Sequence, residues 1–280
     1  MKITPLINID EFSKLHGSKI VLVDAGSGDS AYENYLRGHL HGALYVDLNK
    51  DLADISGDAK EGGRHPLPTV RKFKETLKRL GIEKNSHVII YDDKHGANAA
   101  ARFWWMLRGA GLHKVQVLNG GSQAAKEKGL LVNSQETQSE VGDPFSFPTW
   151  ELPLADLSFI EENAGNSDHL VIDVREKDRY EGKTEPIDEI AGHIPGAINI
   201  PFKENLNEDG TFKSPEILHR KYAEIFQNIP SHKIAVHCGS AVTACHTLLA
   251  LDHAGFEIPK LYVGSWSEWS RNKKPVATKD

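Results

Sequence analysis

The chain has 280 residues, of which 39% are hydrophobic and 26% are charged, and its net charge is −6. The length predicts two domains, and the mild negative charge disfavours nucleic acid as a partner, because phosphate backbones require a basic surface. No apolar run approaches the roughly 18 residues that span a bilayer, so we expect no membrane segment. The start of the sequence has no apolar signal core and the two cysteines cannot form a disulfide framework, which favours a reducing cytoplasm.

Taken in chain order, the first predicted strand ends in Asp24 and is followed by a Gly-His signature, GHLHGA at 38–43. The same succession returns later, where a strand ends in Asp173 and leads to GHIPGA at 192–197. A repeated order of strand, acid and Gly-His signature indicates an internal duplication.

A second strand of each copy supports the duplication. The run VIIYD ends at Asp92 and corresponds to IAVHC, which ends at Cys238, so an acid in the first copy stands where the second has a cysteine. Residues 133–150 are polar and contain prolines, as is typical of linkers. We therefore predict an N-terminal domain at 1–132, a linker at 133–150 and a C-terminal domain at 151–280.

Within each copy, short runs rich in β-branched residues alternate with helical stretches. VIIYD and VQVLN flank AAARFWWMLRGAG in the first copy, and IAVHC and KLYVG flank VTACHTLLALDHAG in the second. This alternation predicts the α/β class, in which each domain has a mainly parallel sheet with helices on both faces. Ligands of such sheets bind at the carboxyl ends of the strands, and Cys238 falls at such an end.

Short residues, GSAVT at 239–243, separate Cys238 from the next predicted helix. A loop of this kind points backbone N–H groups inward as an anion nest, and the helix N-terminus adds positive potential. Such a site stabilises a thiolate, the reactive form of cysteine. Cys238 is therefore the candidate nucleophile, whereas Cys245, inside the predicted helix, is interpreted as core packing.

Three other roles for Cys238 are less well supported. A buried structural thiol is common among free cysteines, but a strand tip before a small-residue loop is typical of an active site. Cysteine-dependent phosphatases need Arg six residues later to bind phosphate, and Ala244 stands there. A metal site drawn from His237, Cys238, Cys245 and His246 is disfavoured, since strand alternation sends the first two to opposite faces. We expect no metal and no cofactor.

The duplication, both Gly-His signatures, the loop CGSAVTA and the ending LYVGSWSEW at 261–269 resemble tandem rhodanese-type sulfurtransferases, over roughly residues 6–277. The resemblance implies two rhodanese-like domains, of which the C-terminal one is catalytic, and Asp92 fits the Asp that often replaces Cys in the other. It also implies that the Cys238 thiolate takes a sulfane sulfur from a donor, becomes a persulfide and passes that sulfur to a thiol or to cyanide.

The resemblance assigns roles to further residues. Ser240 and His65, the latter in GGRHPLP, would handle the proton of the leaving or attacking sulfur, and Asn49 stands where the family has an accompanying Asp. The roles of Asp47 and Asp51, which flank it, stay open. Backbone amides of the Cys238 loop would stabilise the anionic persulfide, namely those of Gly239, Ala241, Val242 and Thr243.

The donor is read from the charges near the loop. Thiosulfate enzymes of the family tend to place basic residues after the Cys, whereas Gly-Ser-Ala-Val-Thr here is closer to the loop of mercaptopyruvate enzymes. Arg179 matches a family Arg that binds the carboxylate or sulfonate of the donor, and a surface ion pair is its alternative role. The family's second Arg is missing from EPIDEI at 185–190. Arg64 is a candidate replacement, and thiosulfate is the alternative donor.

The remaining expectations concern structure and partners. Each copy has one histidine in its Gly-His signature, His39 in the first and His193 in the second. Because the copy without Cys has it as well, we expect structural roles for both. A non-catalytic binding or regulatory module is the competing functional class, and the intact Cys238 loop disfavours it. We expect a small-molecule donor, a thiol or cyanide acceptor with thioredoxin as one candidate, and a monomer or weak dimer. Core or interdomain packing is expected of four large aromatic residues, Trp104, Trp105, Trp266 and Trp269.

Overall fold

The computed structural model describes residues 3–15, 20–130, 132–143 and 145–279, so Pro144 of the predicted linker lies outside the described residues. The chain divides into two compact units. Unit 1 is formed by Met1–Asp54, Pro68–Glu151 and Glu208–Phe212. Unit 2 is formed by Ile55–Leu67, Leu152–Asn207 and Lys213–Asp280. A short segment of the first copy, Ile55–Leu67, thus packs as part of unit 2.

Unit 1 is built on a parallel five-stranded sheet in the order β1-β6-β5-β2-β4, with a small antiparallel pair, β3-β7. Its strands are β1 (Leu6–Ile7), β2 (Ile20–Gly26), β3 (His39–Leu40), β4 (Leu44–Asp47), β5 (His87–Tyr91), β6 (Val115–Leu118) and β7 (Val132–Asn133). Its helices are α1 (Ile9–Phe12), α2 (Ala31–Arg37), α3 (Val70–Arg79), α4 (Ala99–Gly109) and α5 (Gly121–Glu127).

Unit 2 contains a second parallel five-stranded sheet, in the order β10-β9-β11-β12-β8. Its strands are β8 (Leu154–Ala155), β9 (Leu170–Asp173), β10 (Ile198–Asn199), β11 (Ile234–His237) and β12 (Lys260–Tyr262). Its helices are α6 (Leu157–Asn163), α7 (Lys177–Tyr180), α8 (Pro215–Phe226), α9 (Thr243–His253) and α10 (Ser265–Arg271), with short 3-10 helices at Phe202–Asn205 and Ser231–Lys233.

The two sheets repeat one topology, because β4-β2-β5-β6-β1 in unit 1 corresponds strand for strand to β10-β9-β11-β12-β8 in unit 2. The prediction of two α/β domains with mainly parallel sheets is thereby confirmed. Among the described residues, no helix is long and apolar enough to cross a membrane.

Local sequence explains the helices that frame the site. Helix α4 is rich in Ala and Trp, and helix α9 is rich in Leu and Ala. Both are buried on nearly every side, since each follows a central strand of its sheet. Surface helices instead begin at polar caps. At the start of α8 the Ser214 hydroxyl accepts from the Ile217 amide at 3.4 Å, and Pro215 occupies the first helical position. The four tryptophans expected in the core are all buried, at 3% exposure or less.

Candidate active site

Cys238 directly follows β11, and the loop 239–242 connects it to the start of α9 at Thr243. Its side chain is buried, with 2% of its surface exposed. Within this loop Ala241 adopts a left-handed backbone conformation, with φ of 58°. Because such a φ is unfavourable for a residue with a Cβ, the surrounding structure must hold the loop in place.

The start of α10 is what holds the loop. The Ser265 hydroxyl accepts from the amides of Cys238 and Ala241, at 3.3 and 3.0 Å, and donates to the Tyr262 carbonyl at 2.9 Å. The Trp266 amide donates to the Cys238 carbonyl at 3.0 Å. Ser265 lies in the ending LYVGSWSEW, but the sequence pattern does not indicate this role for it. The sequence predicts that the Ala241 amide helps to stabilise an anion at Cys238. In the structure this amide donates to Ser265.

His65 and Ser240 lie together in unit 2. His65 Nδ1 is 2.7 Å from Ser240 Oγ, and the serine is buried. The segment Ile55–Leu67, which carries this histidine, is fixed by several hydrogen bonds to α10 and its end. The Gly62 amide donates to Glu268 Oε1 at 2.7 Å and the Arg64 amide to Ser267 Oγ at 3.0 Å. These bonds place the histidine by its backbone, independently of the Ser240 contact.

Two guanidinium groups lie over the backbone next to Cys238. A Cβ built on Gly239 would stand 2.9 Å from Arg64 Nη2 and 3.5 Å from Arg179 Nη2. Any side chain at position 239 would therefore displace at least the Arg64 group. The structure thus brings Arg64, Arg179, Gly239, Ser240 and His65 to one place beside the cysteine.

Carboxylates of the EPIDEI segment orient these arginines. Arg179 donates to both oxygens of Glu185, through Nε at 3.1 Å and Nη2 at 2.6 Å. The buried carboxylate of Asp188 accepts from Arg64 Nε at 3.0 Å and from Arg271 Nη1 at 2.7 Å, and lies 3.7 Å from Arg179 Nη2. The segment that lacks the family's second Arg therefore supplies the acids that position Arg64 and Arg179.

Arg175 is a buried residue of the same cluster that the sequence interpretation missed. Its guanidinium binds both oxygens of Asp173, with Nη2 at 2.7 Å from Oδ2, and lies 4.7 Å from the Trp266 ring centroid. Burial alone would raise the pKa of Asp173, but the nearby Arg175 and His237 hold it below its usual range. The sequence does contain a signal for this pair, because Arg175 follows the strand-end Asp173 by two residues and a charged side chain in that position needs a partner of opposite charge.

The first copy places an acid where the second has its cysteine. The Asp92 carboxylate is buried and accepts hydrogen bonds from four backbone amides, at 2.7 to 3.2 Å. Burial raises the pKa of Asp92 although these hydrogen bonds oppose the rise. The loop after this strand therefore surrounds an oxygen-bearing group with backbone N–H donors, as expected of an anion nest. The donors are the amides of Lys94, Gly96, Asn98 and Ala100.

Other residues singled out from the sequence have local partners. Asp47 and Asp51 belong to unit 1, where Asp47 Oδ1 accepts from the Asn49 amide at 2.9 Å and Asp51 pairs with Arg79 at 2.7 Å. Cys245 is fully buried and its thiol contacts the Ala241 carbonyl at 3.2 Å. No group of three or more metal-binding side chains occurs within the part of the chain that the structure describes.

The two signature histidines have the same structural surroundings. His39 stacks on Tyr35 with ring centroids 3.8 Å apart, and its Nδ1 bonds the Tyr35 carbonyl. His193 stacks on Tyr180 at 3.7 Å and bonds the Tyr180 carbonyl in the same way. The structural roles expected of both residues are therefore observed.

Comparison with known proteins agrees with this geometry. The model of the rhodanese-like domain matches residues 8–128 and 158–272. A Pseudomonas aeruginosa protein named "Probable 3-mercaptopyruvate sulfurtransferase" is 40% identical over 266 residues, covering 94% of this chain and 91% of that protein. Mouse thiosulfate sulfurtransferase is 34% identical over 253 residues, covering 88% and 82%.

A solved structure is similar as well. The crystal structure of SseA from Escherichia coli, described as a 3-mercaptopyruvate sulfotransferase, has a TM-score of 0.76 at 28% identity and covers 95% of this chain and all of that one. Two α/β units of one topology, one of which presents a cysteine at a strand tip, define a tandem-domain protein of the rhodanese type. The chain belongs to the rhodanese family, and it is a sulfurtransferase.

Proposed function

We propose that this sulfurtransferase moves the thiol sulfur of 3-mercaptopyruvate to a thiol or to cyanide through a persulfide on Cys238, in which it is the sulfane sulfur. The observation that carries the proposal is the convergence of Arg64 and Arg179 on the Gly239 backbone, beside the cysteine. The loop itself has no cationic side chain, so the donor's charge has to be held from outside the loop. Mercaptopyruvate suits this arrangement, because its carboxylate lies away from the reacting sulfur.

The first half-reaction is a nucleophilic displacement at sulfur. The Cys238 thiolate attacks the sulfur of mercaptopyruvate, a sulfur–sulfur bond forms, and the carbon–sulfur bond breaks. The thiol proton reaches the departing carbon and gives pyruvate, which leaves an anionic persulfide on the enzyme. We assign the proton transfer to the Ser240–His65 pair, whose 2.7 Å contact is a normal hydrogen-bond length.

The second half-reaction returns the enzyme to its starting state. An acceptor thiolate or cyanide attacks the outer sulfur of the persulfide, and Cys238 departs as a thiolate. Backbone amides of Gly239, Val242 and Thr243 are proposed to stabilise the anion in both steps. The Ala241 amide, predicted with them, is left out of this proposal because it donates to the Ser265 hydroxyl. The loop after Asp92 supports this assignment, since four amides surround the carboxylate of the first copy.

Charge in unit 2 also favours an anionic donor. Within the described part of unit 2, the arginine cluster contains four guanidinium groups, and three carboxylates bind them. The excess of one positive charge is available to the thiolate, the persulfide or the donor carboxylate. The cations are Arg64, Arg175, Arg179 and Arg271, and the anions are Asp173, Glu185 and Asp188.

Thiosulfate is the second candidate donor. The same two guanidinium groups could bind its sulfonate, and mouse thiosulfate sulfurtransferase is a relative of this chain. The remaining proposals follow the sequence expectations: a cytoplasmic enzyme with thioredoxin among its acceptors, a monomer or weak dimer, and domains at 1–132 and 151–280 joined by residues 133–150.

Parallel kinetics with the two donors test the proposal. We expect a higher kcat/KM with 3-mercaptopyruvate, and we expect Arg64→Ala and Arg179→Ala each to lower it by about ten- to a hundredfold, since each removes a charged hydrogen-bonding group. Arg271→Ala is the matched control, because it also takes a guanidinium from Asp188 but is not among the nearest groups to Gly239. A clear preference for thiosulfate, or equal losses in all three variants, would contradict the donor assignment.

A further inference from the structure

Strand registers identify equivalent positions in the two units. Asp24 of β2 pairs with Tyr91, and Asp173 of β9 pairs with His237. Tyr91 and His237 each precede the strand-tip residue, so Asp24 in unit 1 corresponds to Asp173 in unit 2. Two residues further along the chain, Gly26 in unit 1 therefore stands where unit 2 has Arg175.

A second equivalence comes from the helix that follows the last central strand. The Ser122 amide donates to the Asp92 carbonyl at 2.9 Å, just as the Trp266 amide donates to the Cys238 carbonyl at 3.0 Å. Unit 1 thus has Ser122 where unit 2 has Trp266. The guanidinium and indole that pack together in unit 2 are both replaced by small residues.

A cavity of about 500 Å³ lies at these replaced positions in unit 1, lined by Asp24, Gly26 and Ser122 among others. Its volume falls within the range of roughly 300–1,000 Å³ typical of small-molecule sites. Gly26 stays small because a Cβ there would overlap the Tyr45 hydroxyl. Two exposed cationic side chains, Arg37 and Lys126, also line the cavity, together with the exposed carboxylate of Asp93.

The acid in this cavity lacks the partner that its counterpart has. Asp173 is bound by a guanidinium, which holds its pKa low, whereas burial raises the pKa of Asp24 to about 7. Several groups facing Asp24 modify this rise: a Tyr91 hydrogen bond and Lys126 oppose it, while Asp92 and Asp93 add to it. A ligand cation that contacts Asp24 from within the cavity would stabilise the ionised form of this carboxyl group.

We propose that this cavity, the Gly26–Ser122 cavity, binds a small zwitterion whose guanidinium or primary ammonium group lies against Asp24. The ligand's carboxylate lies toward Arg37 and Lys126. The recognition copies chemistry that the chain already uses in unit 2, where a guanidinium binds the equivalent acid at 2.7 Å. The copy without a cysteine is on this account a ligand-binding domain, and its site is formed by residues of unit 1.

Isothermal titration of the full chain tests the proposal with two probes that carry a cation and a carboxylate at opposite ends, 4-guanidinobutyrate and 5-aminopentanoate. The control ligand is 4-ureidobutyrate, which has nearly the same shape as the first probe but no cation. At pH 8 we expect at least one probe to bind about tenfold or more tightly than the control ligand. Asp24→Asn keeps the side-chain shape and should abolish that preference.

A second variant tests the space rather than the charge. Ser122→Trp introduces the residue that unit 2 has at the equivalent position, and it should prevent binding of either probe while sulfur transfer at Cys238 continues at its normal rate. Failure of both probes to bind, equal binding of probe and control ligand, or binding that survives both substitutions would each overturn the proposal.

Discussion

Replacing His65 by Asn should slow sulfur transfer from 3-mercaptopyruvate far more than transfer from thiosulfate. His65 Nδ1 lies 2.7 Å from Ser240 Oγ, and Ser240 stands two residues after Cys238 in the loop. Cleavage of mercaptopyruvate moves a proton from sulfur to carbon, whereas cleavage of thiosulfate releases sulfite with no proton transferred. The two donors therefore report separately on the proton-transfer function of this pair.

The magnitude follows from the geometry. A positioned acid–base group contributes typically 10²–10⁴-fold to rate, so we expect kcat with mercaptopyruvate to fall by about a hundredfold or more. An Asn side chain can keep a hydrogen bond to Ser240 but cannot accept the proton, so the loop should hold its conformation. Rates with thiosulfate should then change little.

The assay follows pyruvate release with one donor and sulfite release with the other, on the same enzyme preparation. Ser240→Ala should reproduce the selective loss, and the double variant should lose little more than either single one, because the two side chains act as one chain. Equal losses with both donors would refute the proton-transfer role and would indicate that His65 supports the loop structurally.

Three further predictions follow from the structure. Asp24→Asn should stabilise the protein increasingly as pH rises from 5 to 8, because the folded state keeps the Asp24 proton up to a pKa of about 7 while the unfolded chain releases it near 3.8. The gain should not exceed about 4 kcal/mol, measured as the difference in free energy of urea unfolding, and a pH-independent difference would contradict it. Ser265→Ala should lower the unfolding free energy by about 1–3 kcal/mol and reduce kcat, since it leaves two amides of the Cys238 loop without their acceptor. An isolated fragment 151–280 should lose most sulfurtransferase activity because it lacks the segment Ile55–Leu67 of unit 2, and full activity of that fragment would refute this dependence.

Much of the architecture could be predicted because it is encoded locally and twice. The strand ends at Asp24 and Asp173, the correspondence of Asp92 with Cys238, and the buried helices after both central strands all follow from repeated patterns. Duplication makes each weak pattern more reliable, since two independent segments have to satisfy one topology.

The rest depended on contacts between residues distant in sequence. The segment Ile55–Leu67 packs in unit 2 through hydrogen bonds to α10. Each of these bonds joins residues more than 200 positions apart in the chain, and no local pattern encodes such a contact. Of the arginine cluster, the sequence indicates only Arg179 and Arg64. The acids that bind them, Glu185 and Asp188, lie in EPIDEI, where the family resemblance predicts an Arg and assigns no role to an acid. To predict the most buried member of the cluster, Arg175, one would have to ask which cation neutralises Asp173 at the end of the strand.

Intact-mass analysis of the protein after incubation with 3-mercaptopyruvate tests the central claim most directly. The account predicts the addition of one sulfur atom, which is lost when an acceptor thiol is added. The addition should be absent in Cys238→Ser and present in Cys245→Ser, whose thiol is fully buried and donates to the Ala241 carbonyl. An adduct that persists in Cys238→Ser, or that maps to Cys245, would contradict a persulfide mechanism on Cys238.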